Sequence, residues 1–430
     1  MNQFSKIYNL KKFNTNLLVN FFAISGQILF GFFIFLIIVI FENISYLGVF
    51  AQLYSIFVIY GLFASLGINE AVLSILSLEK EFKKKREIIL SSLISGLFNA
   101  VIFASILYFS SDLINFFFKS LAITENIKIL SYSIFFFIIN KIFYSVLNAL
   151  KIFFFFSFLH FIRPVLIFVS LSLLIYLEIN SGSIALVFLF SEVIIFLINI
   201  IYIKNFLRIN TLSLNIKKIF SLYHFGFRVF LNSLFSESFI RIDILMLGYF
   251  LNDNLVGIYA FASLFFEGVY QFSIVVRNVL NPDLGKLYFQ KKLQKLINLM
   301  RYSSLVSFFA ILTLSTIITI IYPLFGIVID NNLITQSFPL LKILLLSVLI
   351  YSFIIPEENI LIQIKQPFLQ SCYMSIVVFL NILLNYFLIQ KYGLFGAAFS
   401  TLISFIFAVI IFNLILVIFT NLKRGLFFIP

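Results

Sequence analysis

Residues 80–109 read KEFKKKREIILSSLISGLFNAVIFASILYF. A run rich in Lys and Arg is followed by 22 residues, 88–109, with no Asp, Glu, Lys or Arg among them. About 20 apolar residues cross the hydrocarbon of a bilayer. Lipid offers the backbone no hydrogen-bond partners, so such a run satisfies its N–H and C=O groups internally, as a helix. Residues 88–109 therefore predict a transmembrane helix entered from a basic loop.

Reading outward, the same pattern recurs along the chain. Twelve apolar runs fall at 17–41, 47–78, 88–109, 127–150, 154–177, 184–204, 222–250, 254–281, 299–322, 339–362, 369–389 and 395–420. Composition agrees: 62% of the 430 residues are hydrophobic and 11% charged. A soluble domain carries roughly 25% charged residues, so lipid is the solvent for most of this chain. The first apolar run continues far beyond a signal peptide's ~7–15 residues, which argues against a cleaved leader.

The net charge of +13 is read by side of the membrane and does not point to nucleic acid. With the N-terminus in the cytoplasm, 22 of the 30 Lys and Arg fall in the inner loops and at the two ends. The outer loops hold four: Lys119, Lys128, Lys342 and Lys391. Positive charge marks the cytoplasmic face, so both termini are expected there. The remaining four, Arg163, Arg228, Arg241 and Arg277, lie inside spans.

The basic loop at Lys80–Arg86 has a counterpart at Lys286–Lys295, about 206 residues on. Six spans per half place the halves in the same orientation, the parallel-repeat plan of secondary transporters. The expected fold is an all-α polytopic membrane protein of about twelve transmembrane helices. Its two six-helix bundles, 1–210 and 211–430, would be related by a pseudo-two-fold along the membrane normal.

Several chemistries are excluded or unsupported. One cysteine, Cys372, leaves no internal disulfide. His160 and His224 lack metal-ligand spacing, so neither metal nor cofactor is expected. No GxxxxGK[ST] phosphate loop occurs, and no loop is long enough for a separate catalytic module. No catalytic residue is assigned and the chain is not expected to be an enzyme.

Charges inside spans are costly and mark function or pairing. The seventh run carries Arg228, Glu237, Arg241 and Asp243, and the eighth Glu267 and Arg277. Glu70, Arg163, Glu192 and the pair Glu357–Glu358 lie in the second, fifth, sixth and tenth. Glu237 and Arg241 are four apart and share a helix face. They are either a neutralising pair or part of a cavity wall. Glu70, Arg163, Arg277, Glu357 and Glu358 either snorkel to the interface or face the interior, and Asp243 either pairs structurally or couples an ion. Pro164 and Pro356 are expected to kink their spans.

The run RIDILMLGYFLNDNLVGIYAFASLF (241–265) resembles the hairpin between spans 7 and 8 of polysaccharide flippases. VVRNVLNPDLGKLY (275–288) and YGLFGAAFSTLIS (392–404) resemble the end of span 8 and the opening of the last span. With twelve spans, the chain resembles a Wzx-type O-antigen or capsule repeat-unit transporter of the multidrug/oligosaccharidyl-lipid/polysaccharide superfamily. That resemblance implies an undecaprenyl-diphosphate-linked oligosaccharide moved between leaflets of a bacterial inner membrane by alternating access. Membrane lipids and polysaccharide polymerase machinery would be its partners, and lipopolysaccharide or capsule synthesis its setting. A diphosphate calls for planar multi-donor cations, which makes Arg163, Arg228, Arg241 and Arg277 the candidate substrate-binding residues. Glu70, Glu237, Asp243 and Glu267 are the ion-coupling or cavity candidates. Two alternatives stand: a multidrug/cation antiporter of the same superfamily, and a membrane enzyme such as an O-antigen polymerase.

Overall fold

The computed structural model describes residues 23, 25–114, 117–118, 120–207, 215–329, 331–420 and 422, with the side chains of 203–207 and 282 excepted. Among the described residues there is no strand. The helices are α1 (Ser25–Phe41), α2 (Ile44–Ser65), α3 (Ile68–Leu78), α4 (Phe82–Phe109) and α5 (Ser111–Ile114). They continue with α6 (Leu121–Ala149), α7 (Phe153–Tyr176), α8 (Leu186–Leu207), α9 (Ile216–Phe250) and α10 (Asp253–Phe289). The remainder are α11 (Leu293–Ile321), α12 (Asn331–Tyr351), α13 (Ile360–Gln363), α14 (Pro367–Tyr392) and α15 (Leu394–Thr420).

Every one of the twelve apolar runs holds a helix, and ten helices are long and apolar enough to cross a membrane. The other two runs hold α1, with 17 residues between Ser25 and Phe41, and α9, which carries Arg228, Glu237, Arg241 and Asp243. The chain is a multi-pass membrane protein. Helices outrun their apolar cores: α4 starts at Phe82, so Lys83–Arg86 lie on its first turns. Hydropathy locates the lipid boundary, whereas the hydrogen-bond ladder continues through any residue that tolerates helix.

Two expected continuous helices are broken. Between α2 and α3, Leu66 and Gly67 adopt positive φ of 46° and 70°. Only glycine reaches that region without steric cost, and a Cβ on Gly67 would lie 2.3 Å from the Gly226 carbonyl oxygen. Span ten breaks after Tyr351, passes through a 3-10 turn at Ile355–Glu357 and resumes as α13. Pro356 lies in that turn, whereas Pro164 sits inside an unbroken α7.

Two compact units emerge. One comprises residues 1–42 and 56–230, the other 43–55 and 231–430. The sequence-based division between 210 and 211 falls outside the described residues, as do both termini. In the first unit α6 is central, packed by α3, α4 and α8. In the second, α15 lies against α12 and α14, and α10 against α11 and α12.

Lipid supplies no hydrophobic force between helices, so close packing of small residues holds them together. The inner face of α4 is Ser91, Ser92, Ser95, Gly96, Asn99 and Ala100, all buried. A Cβ on Gly96 would meet Ile142 Cδ1 of α6 at 2.0 Å. Phe98, Val101 and Phe109 of the same helix are exposed, as lipid-facing side chains should be.

Candidate functional site

The ionisable side chains within the helices form three constellations. In the first unit, Arg163 of α7 makes an ion pair with Glu192 of α8. Glu192 is completely buried. Asn140 of α6 donates from Nδ2 to Glu192 Oε2 at 2.8 Å and to its carbonyl at 2.9 Å. Asn199 Nδ2 in turn donates to Asn140 Oδ1 at 3.2 Å. The Arg163 guanidinium lies 4.7 Å from the Phe137 ring and 5.5 Å from Phe57. A buried carboxylate needs both a counter-charge and hydrogen bonds, and Glu192 has both. One turn before Arg163, His160 stacks on Tyr144 at 4.8 Å, and its carbonyl accepts from Gln27 Nε2 at 3.0 Å.

In the second unit, Arg277 of α10 pairs with Glu358 at the break in span ten. Glu358 also accepts from the Tyr351 hydroxyl, whose oxygen is 3.4 Å from that of Tyr373. Beside it, Glu357 lies 3.1 and 3.2 Å from Ser304 Oγ on α11. Both glutamates are completely buried. These residues do not snorkel: Arg163, Arg277, Glu357 and Glu358 turn inward because partners there replace water.

The third constellation surrounds Arg241 of α9. Its partner is Glu267 of α10, at 3.8 Å, and not Glu237 on its own helix, which is exposed. The guanidinium lies 4.6 Å from the Tyr54 ring centroid. An N···O distance of 3.8 Å is too long for a hydrogen bond, and Arg241 Nε is buried without one. Two residues on, Asp243 faces the protein interior. It accepts from Tyr259 Oη at 2.7 Å, from Asn385 Nδ2 at 2.7 Å and from the Thr401 hydroxyl. Asp243 forms no ion pair within 4 Å among the described residues.

The remaining candidates stand apart. Arg228 is exposed, and Glu70 accepts from the neighbouring Asn69 amide at 3.1 Å. So the structure joins Arg241 to Glu267, gives Arg163 and Arg277 each a private glutamate, and leaves Arg228 and Glu237 outside these contacts. The neutral members escaped sequence reading: Tyr54, Asn140, Tyr351, Ser304, Asn385 and Thr401. An Asn in mid-span, such as Asn140 in FFFIINKIF, is the signal that was there to be used, since an uncompensated amide is costly in lipid.

A family model described as a polysaccharide biosynthesis protein matches residues 43–328. The chain belongs to that family. Its fold is that of the MOP superfamily, in agreement with the resemblance carried by residues 241–265. An inward-facing multidrug resistance MATE family transporter of that superfamily superposes with a TM-score of 0.75, at 14% identity, over 92% of this chain and 96% of that one. The lipid II flippase MurJ, in an inward closed conformation, gives 0.75 at 19% identity over 91% and 86%. A MOP superfamily transporter from Pyrococcus furiosus gives 0.59 at 15% identity over 92% of each chain. A search of the curated proteins found no match. This polysaccharide biosynthesis family member thus shares one helical architecture with transporters of different cargo, and its own side chains must supply the discrimination.

Proposed function

We propose that this polysaccharide biosynthesis family member moves an undecaprenyl-diphosphate-linked oligosaccharide from the cytoplasmic to the periplasmic leaflet of a bacterial inner membrane. The six-span lobes 1–210 and 211–430 would alternate access, and the product would feed O-antigen, capsule or related polysaccharide synthesis. The observation that carries the reading is the family match across residues 43–328, on a fold shared with a lipid II flippase.

At residue level its support is Arg241. This guanidinium is held in the interior by Tyr54 and Glu267, with the carboxylate beyond hydrogen-bond reach. A phosphate oxygen gains more from such a fork than from an ammonium. Arg228, exposed on the same helix, is the second cation available to the headgroup. Arg163 and Arg277 are bound to buried glutamates and would accept phosphate only by exchanging partners. Asp243 is the strongest ion-coupling candidate, because its three donors are neutral.

Complementation tests this. Arg241→Ala should reach the membrane at normal level yet fail to restore surface polysaccharide in a cell lacking its repeat-unit flippase, with Arg241→Lys intermediate. Full complementation by Arg241→Ala and by Arg228→Ala would remove the diphosphate assignment from this helix.

A further inference from the structure

We infer that the turns at 290–292 and 364–366 together build a binding site for the headgroup of an anionic phospholipid, on the lysine-rich end of the second unit. The sequence supplies the charge. Residues 284–301 and 359–370 contain Lys286, Lys291, Lys292, Lys295, Arg301 and Lys365, and no Asp or Glu. All five lysines are exposed, and among the described residues none of them takes part in an ion pair. Asp283, just before the first stretch, is an exposed acid. Glu358, just before the second, is bound to Arg277.

The fold brings the two stretches together. Gly285 of α10 lies against Gln363 of α13, where a Cβ would stand 3.2 Å from the Gln363 carbonyl oxygen. Lys365 Nζ sits 5.4 Å from the centroid of the Phe289 ring, within cation–π range. Lys286, three residues before Phe289, is its neighbour on the helix surface. Lys291 and Lys292 follow at once, and Lys295 is one turn on. Phe289, Leu293 and Phe368 are exposed among these lysines. Of the 37 residues of α10, about 20 suffice to cross the hydrocarbon, so its end stands at the lipid boundary. Apolar side chains beside ammonium groups suit that layer: the rings meet acyl chains and the lysines meet phosphate.

The backbone of both turns points the same way. Lys292 N donates to Leu287 O at 3.1 Å and Lys291 N to Tyr288 O at 2.9 Å. Gln366 N donates to Leu361 O at 2.8 Å and Lys365 N to Ile362 O at 3.0 Å. Each is the helix-ending pattern whose left-handed position usually holds glycine. Here that position holds Lys291, at φ 57°, and Lys365, at φ 64°. A side chain is strained there, so the turn alone is better served by glycine, and the ammonium is what lysine adds. The first unit's basic loop differs. Its cations at Lys80–Arg86 are interleaved and flanked by Glu79, Glu81 and Glu87, and Lys84 is bonded to Glu81 at 2.7 Å. Charge is partly neutralised within that loop, whereas the second unit's lysines await an outside anion. The site is independent of what the protein carries.

Thermal unfolding of the full-length protein in uncharged detergent tests this, with phosphatidylglycerol or phosphatidylcholine titrated in. Phosphatidylglycerol should raise the parent's melting temperature by about 2 °C or more near saturation, and phosphatidylcholine should not. The half-saturating concentration should rise with NaCl, which screens exposed charges. Lys291→Gly with Lys365→Gly removes two charges and relieves both left-handed turns. Without lipid that protein should melt within about 2 °C of the parent or above it, yet need at least about tenfold more phosphatidylglycerol. Lys286→Gln with Lys292→Gln, which leaves both left-handed residues in place, should show the same loss. Lys291→Arg with Lys365→Arg keeps the charges and should respond like the parent. An equal loss of charge in the first unit, Lys80→Gln with Lys83→Gln, should change the requirement less than about threefold. An equal response to phosphatidylcholine, an equal response to inorganic phosphate in place of lipid, or an unchanged requirement in both the glycine and the glutamine proteins of the second unit would overturn the assignment.

Discussion

Glu192 in the first unit and Glu358 in the second are both completely buried, and each holds an arginine from a neighbouring helix. They differ in what surrounds the pair. Glu192 is clasped by an amide, Asn140, which is fixed in turn by Asn199, and its arginine lies over two phenylalanine rings. Charge and hydrogen bonding balance there. Glu358 is clasped by a phenol, sits in a broken helix rather than a continuous one, and has a second carboxyl next to it. The same chemical couple is thus closed in one unit and burdened with an extra titratable group in the other. The lesson is that a buried ion pair is not one kind of object: its neighbours decide how much else the same site must balance.

The comparison can be broken most decisively by removing one partner. Glu192→Gln and Glu358→Gln should each cost roughly 3–5 kcal/mol, because an arginine is left uncompensated in low dielectric. Thermal unfolding in detergent would check this, with Glu358→Gln the worse, since Arg277 is less exposed than Arg163. Equal and small losses would mean that both arginines escape to water and that neither pair is a strut. Replacing both partners, as in Arg163→Met with Glu192→Leu, should recover most of the loss, since no charge then remains to bury.

Next in size are the clasping groups. Asn140→Leu should lower stability by about 1–3 kcal/mol, as should Tyr351→Phe, each removing a donor from a buried carboxylate. The two should separate by pH. The Asn140→Leu loss should be independent of pH between about 6 and 8, while the Tyr351→Phe loss should vary because a second buried carboxyl, Glu357, adjoins the pair. Identical pH profiles would erase the distinction between the units. The smallest expected effect is at the surface. Lys84 pairs with Glu81 at 2.7 Å with both side chains exposed, and Lys84→Ala should leave the melting temperature unchanged within error.

Much of this was legible in the sequence. The run 88–109 became helix and each of its eleven companions holds one among the described residues, because lipid leaves an apolar segment no other way to satisfy its backbone. The costly residues were visible too: Arg163, Glu192, Arg277 and Glu358 are conspicuous in apolar surroundings. Their pairing was not, because a sequence does not say which helix faces which. Glu237 is near Arg241 in the chain, yet Glu267 is the carboxylate that comes within 4 Å of it. The helix breaks had local signals in Gly67 and Pro356, but hydropathy averages over a window and is blind to a backbone turn inside an apolar run. Asp243 was marked as costly, while its donors Tyr259, Asn385 and Thr401 are commonplace residues that gain meaning only when three helices bring them to one carboxylate.

The segment 43–55 has consequences for how the protein is made. It belongs with residues 231–430, where Gln52 Nε2 donates to Asp253 Oδ1 at 2.8 Å. The fit is close enough that a Cβ on Gly48 would lie 1.9 Å from the Asp253 carbonyl oxygen. During synthesis this segment leaves the ribosome about two hundred residues before its partner exists. It must be inserted, kept unpaired in the bilayer, and claimed only when α10 arrives. A gene fragment encoding 231–430 alone would omit it, leaving Asp253 without the Gln52 amide and Gly257 without the Ile44 backbone that covers it. Assembly of the second unit is therefore bound to the survival of a helix end translated near the start of the chain.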